Sequence, residues 1–244
     1  MKYMGSKSKI AKHILPIMLK YRNAKQYFVE PFVGGCNITD KVTGNRIAAD
    51  INPYLIAMWR GLQAENERIK YIPKGIYDYY RTLFNQRAIF DFETMFTIGW
   101  IGFMASYNGR FFDGGYSGHH VNGRDYIAEQ IRNTESQIEK IQDVRFLCSN
   151  YSELIMPEAS IIYCDIPYRN TKQYVYSAHF DYATFWNWAE SKTKEGHMVF
   201  ISEYAAPDNF VSIWEKSVTN SLHTHNTYRP TEKLFVHQSL SRLF

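Results

Sequence analysis

The sequence predicts an α/β protein on a mostly parallel sheet, and three observations carry that prediction. Short apolar runs at 26–29, 46–49, 144–148, 160–164 and 197–201 alternate with stretches of helical periodicity. The run at 160–164 is apolar almost throughout, which suits a central parallel strand covered on both faces. Three of the runs lead into residues with chemistry, at Glu30, Asp50 and Asp165, and open α/β sheets bind ligands beyond the carboxyl ends of their strands.

From the amino terminus, residues 6–19 place Ile10, Ile14, Ile17 and Met18 at helical spacing, with Ser6 or Ser8 as the cap and Pro16 as a kink or early stop. The strand at 26–29 runs into EPFVGGCN, a glycine-containing turn, with a helix expected from about Asn37. The strand at 46–49 ends at Asp50. Asn52 then caps, and Pro53 opens, an apolar helix through NPYLIAMWRGLQ. Residues 26–63 thus read as half of a doubly wound sheet.

Residues 64–124 break this rhythm. The stretch 71–92 looks helical and aromatic-rich. WIGFMASYNGRFFDGGYSGHHVNGR, at 100–124, reads as a long loop, and a loop of that length in a compact domain marks a functional insertion. The rhythm then returns: a helix at 125–141, strands at 144–148 and 160–164, a helix at 180–194 and a strand at 197–201. A short helix is expected at 207–214, then strands at 217–223 and 233–238 as an antiparallel edge pair. The expected division is one body from 1–63 and 125–244, with 64–124 inserted.

Composition narrows the class. A chain of 244 residues with 45% hydrophobic and 21% charged residues has the make-up of a soluble globular domain. The aromatic share of 16% points first to a bulky core and second to stacking on flat ligands. The net charge is only +4, but Lys2, Lys7, Lys9, Lys12, Lys20, Arg22 and Lys25 precede the first acid, Glu30. Such a run suits either an anionic partner or a solvated helix face. Three scattered cysteines make neither a disulfide framework nor a zinc site, and the adjacent His119 and His120 lack companion ligands, so no metal is expected. With no apolar run of membrane-spanning length and no signal-peptide core, no membrane association and a cytoplasmic location are expected.

The glycine turn and Asp50 make the first chemical pair. Gly34 and Gly35 let the backbone bend and approach a ligand closely, or simply connect two elements. Asp50 can accept hydrogen bonds from both hydroxyls of a ribose, or cap the helix behind it. Together they favour a nucleoside-containing cofactor.

In that order, YFVEPFVGGCN (27–37), ADINPYLI (49–56) and IIYCDIPY (161–168) resemble the pattern of the Dam-like, D12 class DNA adenine-N6 methyltransferases. KYMGSKSKI (2–10) is similar to the family's first motif, and FISEYAAPDNF (200–210) and EKLFVHQ (232–238) to later segments of its phage-type members. The resemblance covers nearly the whole chain except the insertion. Two positions depart from the pattern. Cys36 stands where the last turn glycine is usual, so the turn is expected to run differently or not to need glycine there. Ile166 stands where the Asp-Pro-Pro-Tyr motif has its first proline. It keeps the backbone carbonyl, and Pro167 and its own β-branching favour an extended backbone.

The resemblance implies a Rossmann-like methyltransferase fold, S-adenosylmethionine as cofactor, double-stranded DNA as partner and an inserted target-recognition subdomain. It implies that Asp165 and the carbonyl of Ile166 accept the two N6 hydrogens of a flipped adenine, with Pro167 shaping the corner and Tyr168 stacking on the base. It implies a cofactor site of Tyr3, Lys7, Pro31, Phe32, Gly34, Gly35, Cys36, Asp50, Asn150, Tyr151 and Asp165. Lys2, Arg110, Arg124 and Asn170 are the expected DNA contacts. Other readings are methylation of cytosine N4 or of adenine in RNA and, in another class, a silent DNA-binding protein that keeps the fold. A monomer is expected.

Overall fold

A computed structural model of the chain describes residues 1–169, 180–217 and 231–244. Among them, β1 (Phe28–Glu30), β2 (Arg46–Asp50), β3 (Val144–Cys148), β4 (Ile161–Asp165), β5 (Met198–Glu203), β6 (Phe210–Ser217) and β7 (Thr231–His237) form one seven-stranded sheet. Its order is β3-β2-β1-β4-β5-β7-β6. The first five strands are parallel, and β7 runs antiparallel between β5 and β6. The chain order reverses between β1 and β4, which places the topological switch beside Glu30 and Asp165.

Alternation along the strands sorts the core. In β4, Ile161 and Tyr163 face a cluster with α1 (Ala11–Met18), whereas Ile162 and Cys164 face a cluster with α6 (Tyr182–Lys194). A third cluster joins Ala48, Val144 and Phe146 to α2 (Pro53–Gln63), α4 (Phe92–Ala105) and α5 (Tyr126–Glu135). Asn52 caps α2 as its sequence suggests, accepting from Tyr54 N and Leu55 N.

Four sequence expectations are corrected. The stretch at 100–124 does not begin as a loop, because its first residues complete α4, and Trp100, Ile101, Phe103 and Met104 are buried. Two glycines of α4 serve close packing of that helix. A Cβ on Gly99 would lie 2.2 Å from the Tyr54 carbonyl oxygen, and one on Gly102 would lie 2.4 Å from the Phe111 ring. Residues 106–125 are tied down as well. His119 pairs through Nδ1 with Asp125 (2.7 Å), accepts from Ile72 N at Nε2 (3.1 Å) and stacks on Tyr71. Second, the helix expected from Asn37 is a single 3-10 turn, Thr39–Lys41. Side chains take both backbone groups of Thr39, Glu30 accepting from its N–H and Arg46 donating to its carbonyl. Third, the expected helix at 207–214 belongs largely to β6, whose ladder with β7 decides an ambiguous apolar pattern. An antiparallel edge pair exists, but its first strand is β6 and not the expected 217–223, of which all but Ser217 lies outside the described residues; the expected strand at 233–238 corresponds to β7. Fourth, α1 begins only at Ala11 and has no side-chain cap; Ser6 serves the preceding turn, and Pro16 sits on the exposed face of the helix without ending it.

Residues 64–124 contribute α3 (Lys74–Gln86) and α4, and most of their contacts with the rest of the chain run from α4 onto α2. Gly61 of α2 admits Phe96 of α4 where a Cβ would lie 2.2 Å from the ring. Residues 64–124 therefore share one apolar cluster with the sheet.

Candidate active site

Four parallel strands end in a carboxylate: β1 at Glu30, β2 at Asp50, β4 at Asp165 and β5 at Glu203. On the β1–β2 side, backbone amides hold the acids. Asp50 accepts from Gly34 N (3.2 Å) and Asn52 N (3.0 Å), and burial pushes its pKa up to about 6 against those bonds. Glu30 accepts from Thr39 N (3.1 Å) and from the Thr39 hydroxyl, and burial pushes its pKa up to about 8. Glu30 therefore holds its proton well above the usual carboxyl range.

The turn after β1 keeps a left-handed residue at the unusual position. Gly34 has φ of 44° and Cys36 has φ of 54°, and Cys36 is fully buried. Of the two alternatives expected from the sequence, the second fits: position 36 does not need glycine, because cysteine takes the left-handed backbone there. Tyr3 lies across the two glycines. A Cβ on Gly34 would sit 2.7 Å from the Tyr3 ring, and one on Gly35 would sit 2.6 Å from Tyr3 Cβ. Pro31 is buried, and Phe32 packs against Tyr151 with ring centroids 5.4 Å apart. Asn150 closes its own turn, its Oδ1 accepting from Ser152 N and Oγ at 3.1 Å.

The β4–β5–β7 side is organised around one ammonium. Lys7, 6% exposed, places Nζ 3.0 Å from Asp165 Oδ1, 3.9 Å from Glu232 Oε2 and 4.3 Å from the Tyr168 ring centre, and donates to the Gly5 carbonyl. The Tyr168 hydroxyl donates to Glu232 Oε2 at 2.5 Å, and Tyr204 packs edge-on against the same ring. Glu203 accepts from Arg169 N (2.7 Å). Burial lifts the Asp165 pKa to about 6; Lys7 opposes the rise, and Glu232 and Glu203 add to it. The Ile166 side chain is buried in the cluster beneath α6, so its bulk serves packing. Tyr182 donates to the Pro167 carbonyl at 2.9 Å, which ties the corner to α6.

Two expected DNA contacts converge. Lys2 Nζ pairs with Glu129 Oε1 (2.5 Å) and Arg124 Nε with Glu129 Oε2 (2.7 Å), and both cations lie over the Tyr126 ring. Arg110 does not join them; it pairs with Asp113 in its own turn. Asn170 lies outside the described residues. The segment from Lys2 to Lys7 thus links the basic pair, the glycine turn and the Asp165 corner.

The sequence reading missed Glu203, Glu232, Gln137 and Glu129. Glu203 was within reach, since it ends a strand as Asp165 does. Among the described residues no group of three side chains is placed to hold a metal, and no helix is long and apolar enough to cross a membrane.

This arrangement offers a glycine turn beside a buried acid and, across the switch point, a carboxylate next to an aromatic ring. A family model described as D12 class N6 adenine-specific DNA methyltransferase matches residues 3–229. No curated protein matches the chain.

Proposed function

We propose, for a chain that belongs to the D12 class N6 adenine-specific DNA methyltransferases and methylates adenine N6 in DNA, that the amine is held at the Asp165–Tyr168 corner. Asp165 accepts one N6 hydrogen and the Ile166 carbonyl the other, while Tyr168 supports the flipped ring. The observation that carries this reading is the buried carboxylate of Asp165 at the switch point, 3.0 Å from Lys7 and beside the tyrosine ring.

The methyl donor in this reading is S-adenosylmethionine, which supplies an activated methyl on a sulfonium sulfur. The residues on the β1–β2 side fit it. Asp50 is a desolvated acceptor for ribose hydroxyls, and the turn of Pro31, Phe32, Gly34, Gly35 and Cys36 offers close backbone approach. Tyr3 lies on that turn, Lys7 four residues on pairs with Asp165, and Tyr151 with Asn150 flanks the turn after β3.

Adenine N6 is a weak nucleophile because its lone pair is delocalised into the ring. Two acceptors on its hydrogens favour a pyramidal nitrogen, and the carboxylates of Asp165, Glu203 and Glu232 stabilise the positive charge that develops there. With S-adenosylmethionine held beside Asp50 and the glycine turn, its sulfonium methyl would be the electrophile for the amine that Asp165 and the Ile166 carbonyl hold. Asp165, with a pKa of about 6, is poised to receive the surplus proton directly or through water. Lys2 and Arg124 on Glu129 form the DNA-facing pair, and residues 64–124 carry the target-recognition surface.

Methyl transfer to unmethylated DNA tests the roles. Asp165→Ala should reduce transfer by roughly a thousandfold or more, while Ile166→Pro, which keeps the carbonyl, should stay active. An active Asp165→Ala, or an Ile166→Pro that folds and is inactive, would overturn the assignment.

A further inference from the structure

We propose that Gln137 is a positioning residue for the cofactor turn: it holds Cys36 in the left-handed conformation that cysteine does not adopt cheaply by itself. An L-residue with φ near +54° crowds its Cβ against the backbone, and glycine escapes this because it has no Cβ. Some other group must therefore fix the turn when cysteine occupies position 36.

The backbone of the turn has few free rotations. Gly34 N donates to Asp50, and the Gly34 carbonyl accepts from Trp59 Nε1 at 3.0 Å. Cys36 N donates to the Val33 carbonyl at 2.8 Å. The plane beyond the Cys36 Cα is engaged as well, since Asp40 N donates to the Cys36 carbonyl at 3.3 Å, and Gln137 Nε2 adds donation to the carbonyls of both planes that flank this Cα. It lies 3.3 Å from Gly35 O, 3.1 Å from Cys36 O and 3.1 Å from Asp40 Oδ2. The carbonyl of residue 35 reports rotation about N–Cα of residue 36, and the carbonyl of residue 36 reports rotation about Cα–C. One amide that holds both therefore reinforces φ and ψ of Cys36 together, beside the backbone bonds of Cys36 N and Asp40 N. Gln137 is itself 3% exposed, and its Oε1 accepts from the Met1 amine, which sets which end of the amide faces the turn. Its place between α5 and the 3-10 turn Ile138–Ile141 gives it no partner on the rest of the cofactor side other than this turn and Asp40.

The experiment is a cycle of Gln137→Ala with Cys36→Gly and with Cys36→Ala, read by calorimetric binding of S-adenosylmethionine, by kcat at saturating cofactor, and by thermal midpoint without cofactor. In the natural background, Gln137→Ala should raise the cofactor Kd about tenfold, the size expected for lost buried hydrogen bonds, and leave kcat at saturation nearly unchanged. With glycine at 36, which takes this backbone unaided, the same change should raise Kd by less than about twofold. With alanine at 36, which has a Cβ but no sulfur, the full effect should persist. Gln137→Met keeps the length and loses the donor, and it serves the same cycle if the alanine variant does not fold. Equal effects of the Gln137 change in all three backgrounds would overturn the proposal. The binding arm rests on the proposed placement of the cofactor at this turn, but the thermal arm does not. Coupling between positions 137 and 36 in the thermal midpoint with no change in Kd would uphold the clamp and overturn that placement. Absence of coupling in both arms would overturn the clamp.

Discussion

On the β1–β2 side of the sheet, each acid accepts from backbone amides within 16 positions of it in the chain. Asp50 accepts from Gly34 N and Asn52 N, and Glu30 from Thr39 N. On the β4–β5–β7 side, Asp165 and Glu232 are drawn to one ammonium, that of Lys7, from the far end of the chain. Amide dipoles are fixed once the backbone folds and need no partner to arrive. A shared ammonium couples its acids, so removing one acid changes the others. The first arrangement suits a constant binding site for a cofactor. The second suits a corner where charge must change during the reaction.

The sharpest test of that contrast is Asp50→Ala. It should raise the S-adenosylmethionine Kd by roughly 30- to 100-fold, the cost of losing charge-assisted hydrogen bonds, and leave DNA affinity unchanged. Helix α2 should persist, because its cap is Asn52. Calorimetry with each ligand reads both. A loss of DNA affinity equal to the loss of cofactor affinity would show that the two sides are not independent. Cofactor affinity should also fall as the pH drops through about 6, where Asp50 takes a proton and loses an acceptor.

Glu232→Gln breaks the second arrangement more gently. The amide can still accept from Tyr168, but one negative charge next to Asp165 is gone. Turnover should fall about tenfold, in line with one lost electrostatic contact, with little change in KM for DNA. The acid limb of kcat/KM should move to lower pH, because a carboxylate with fewer negative neighbours holds its proton less tightly. An acid limb that stays in place would assign Glu232 to packing alone.

The same contrast explains what could be read from residues alone. The glycine turn, Asp50 and Asp165 are legible because their chemistry and their structural cause lie within one short segment. Glu232 meets Tyr168 across 64 positions and Gln137 meets Cys36 across 101, so no local pattern marks either. Gly102 misleads for another reason. Glycine in a loop and glycine that lets a ring pack close on a helix look alike in a sequence, and only the neighbouring Phe111 tells them apart. The short helix expected at 207–214 fails because β7, the strand that pairs it into the sheet, comes later in the chain.

Glu30 stands between the two sides, held by Thr39 and raised in pKa by burial with a further push from Asp165. It should have the smallest effect on turnover. Its pKa is raised to about 8, so near neutral pH Glu30→Gln removes little charge and should leave kcat nearly unchanged. Its signature is in stability. A carboxyl whose pKa rises from 4.5 unfolded to about 8 folded binds more protons in the folded state across that window. Folded natural protein therefore loses stability as pH rises through the window, and Gln, which does not titrate, does not. The thermal midpoint of Glu30→Gln should match the natural protein near pH 4.5, exceed it by a margin that widens up to about pH 8, and then keep a constant lead. Thermal scans across that range decide it. A gap that stays flat would mean that Glu30 is charged in the fold, and that the β1–β2 side holds its acids as carboxylates throughout.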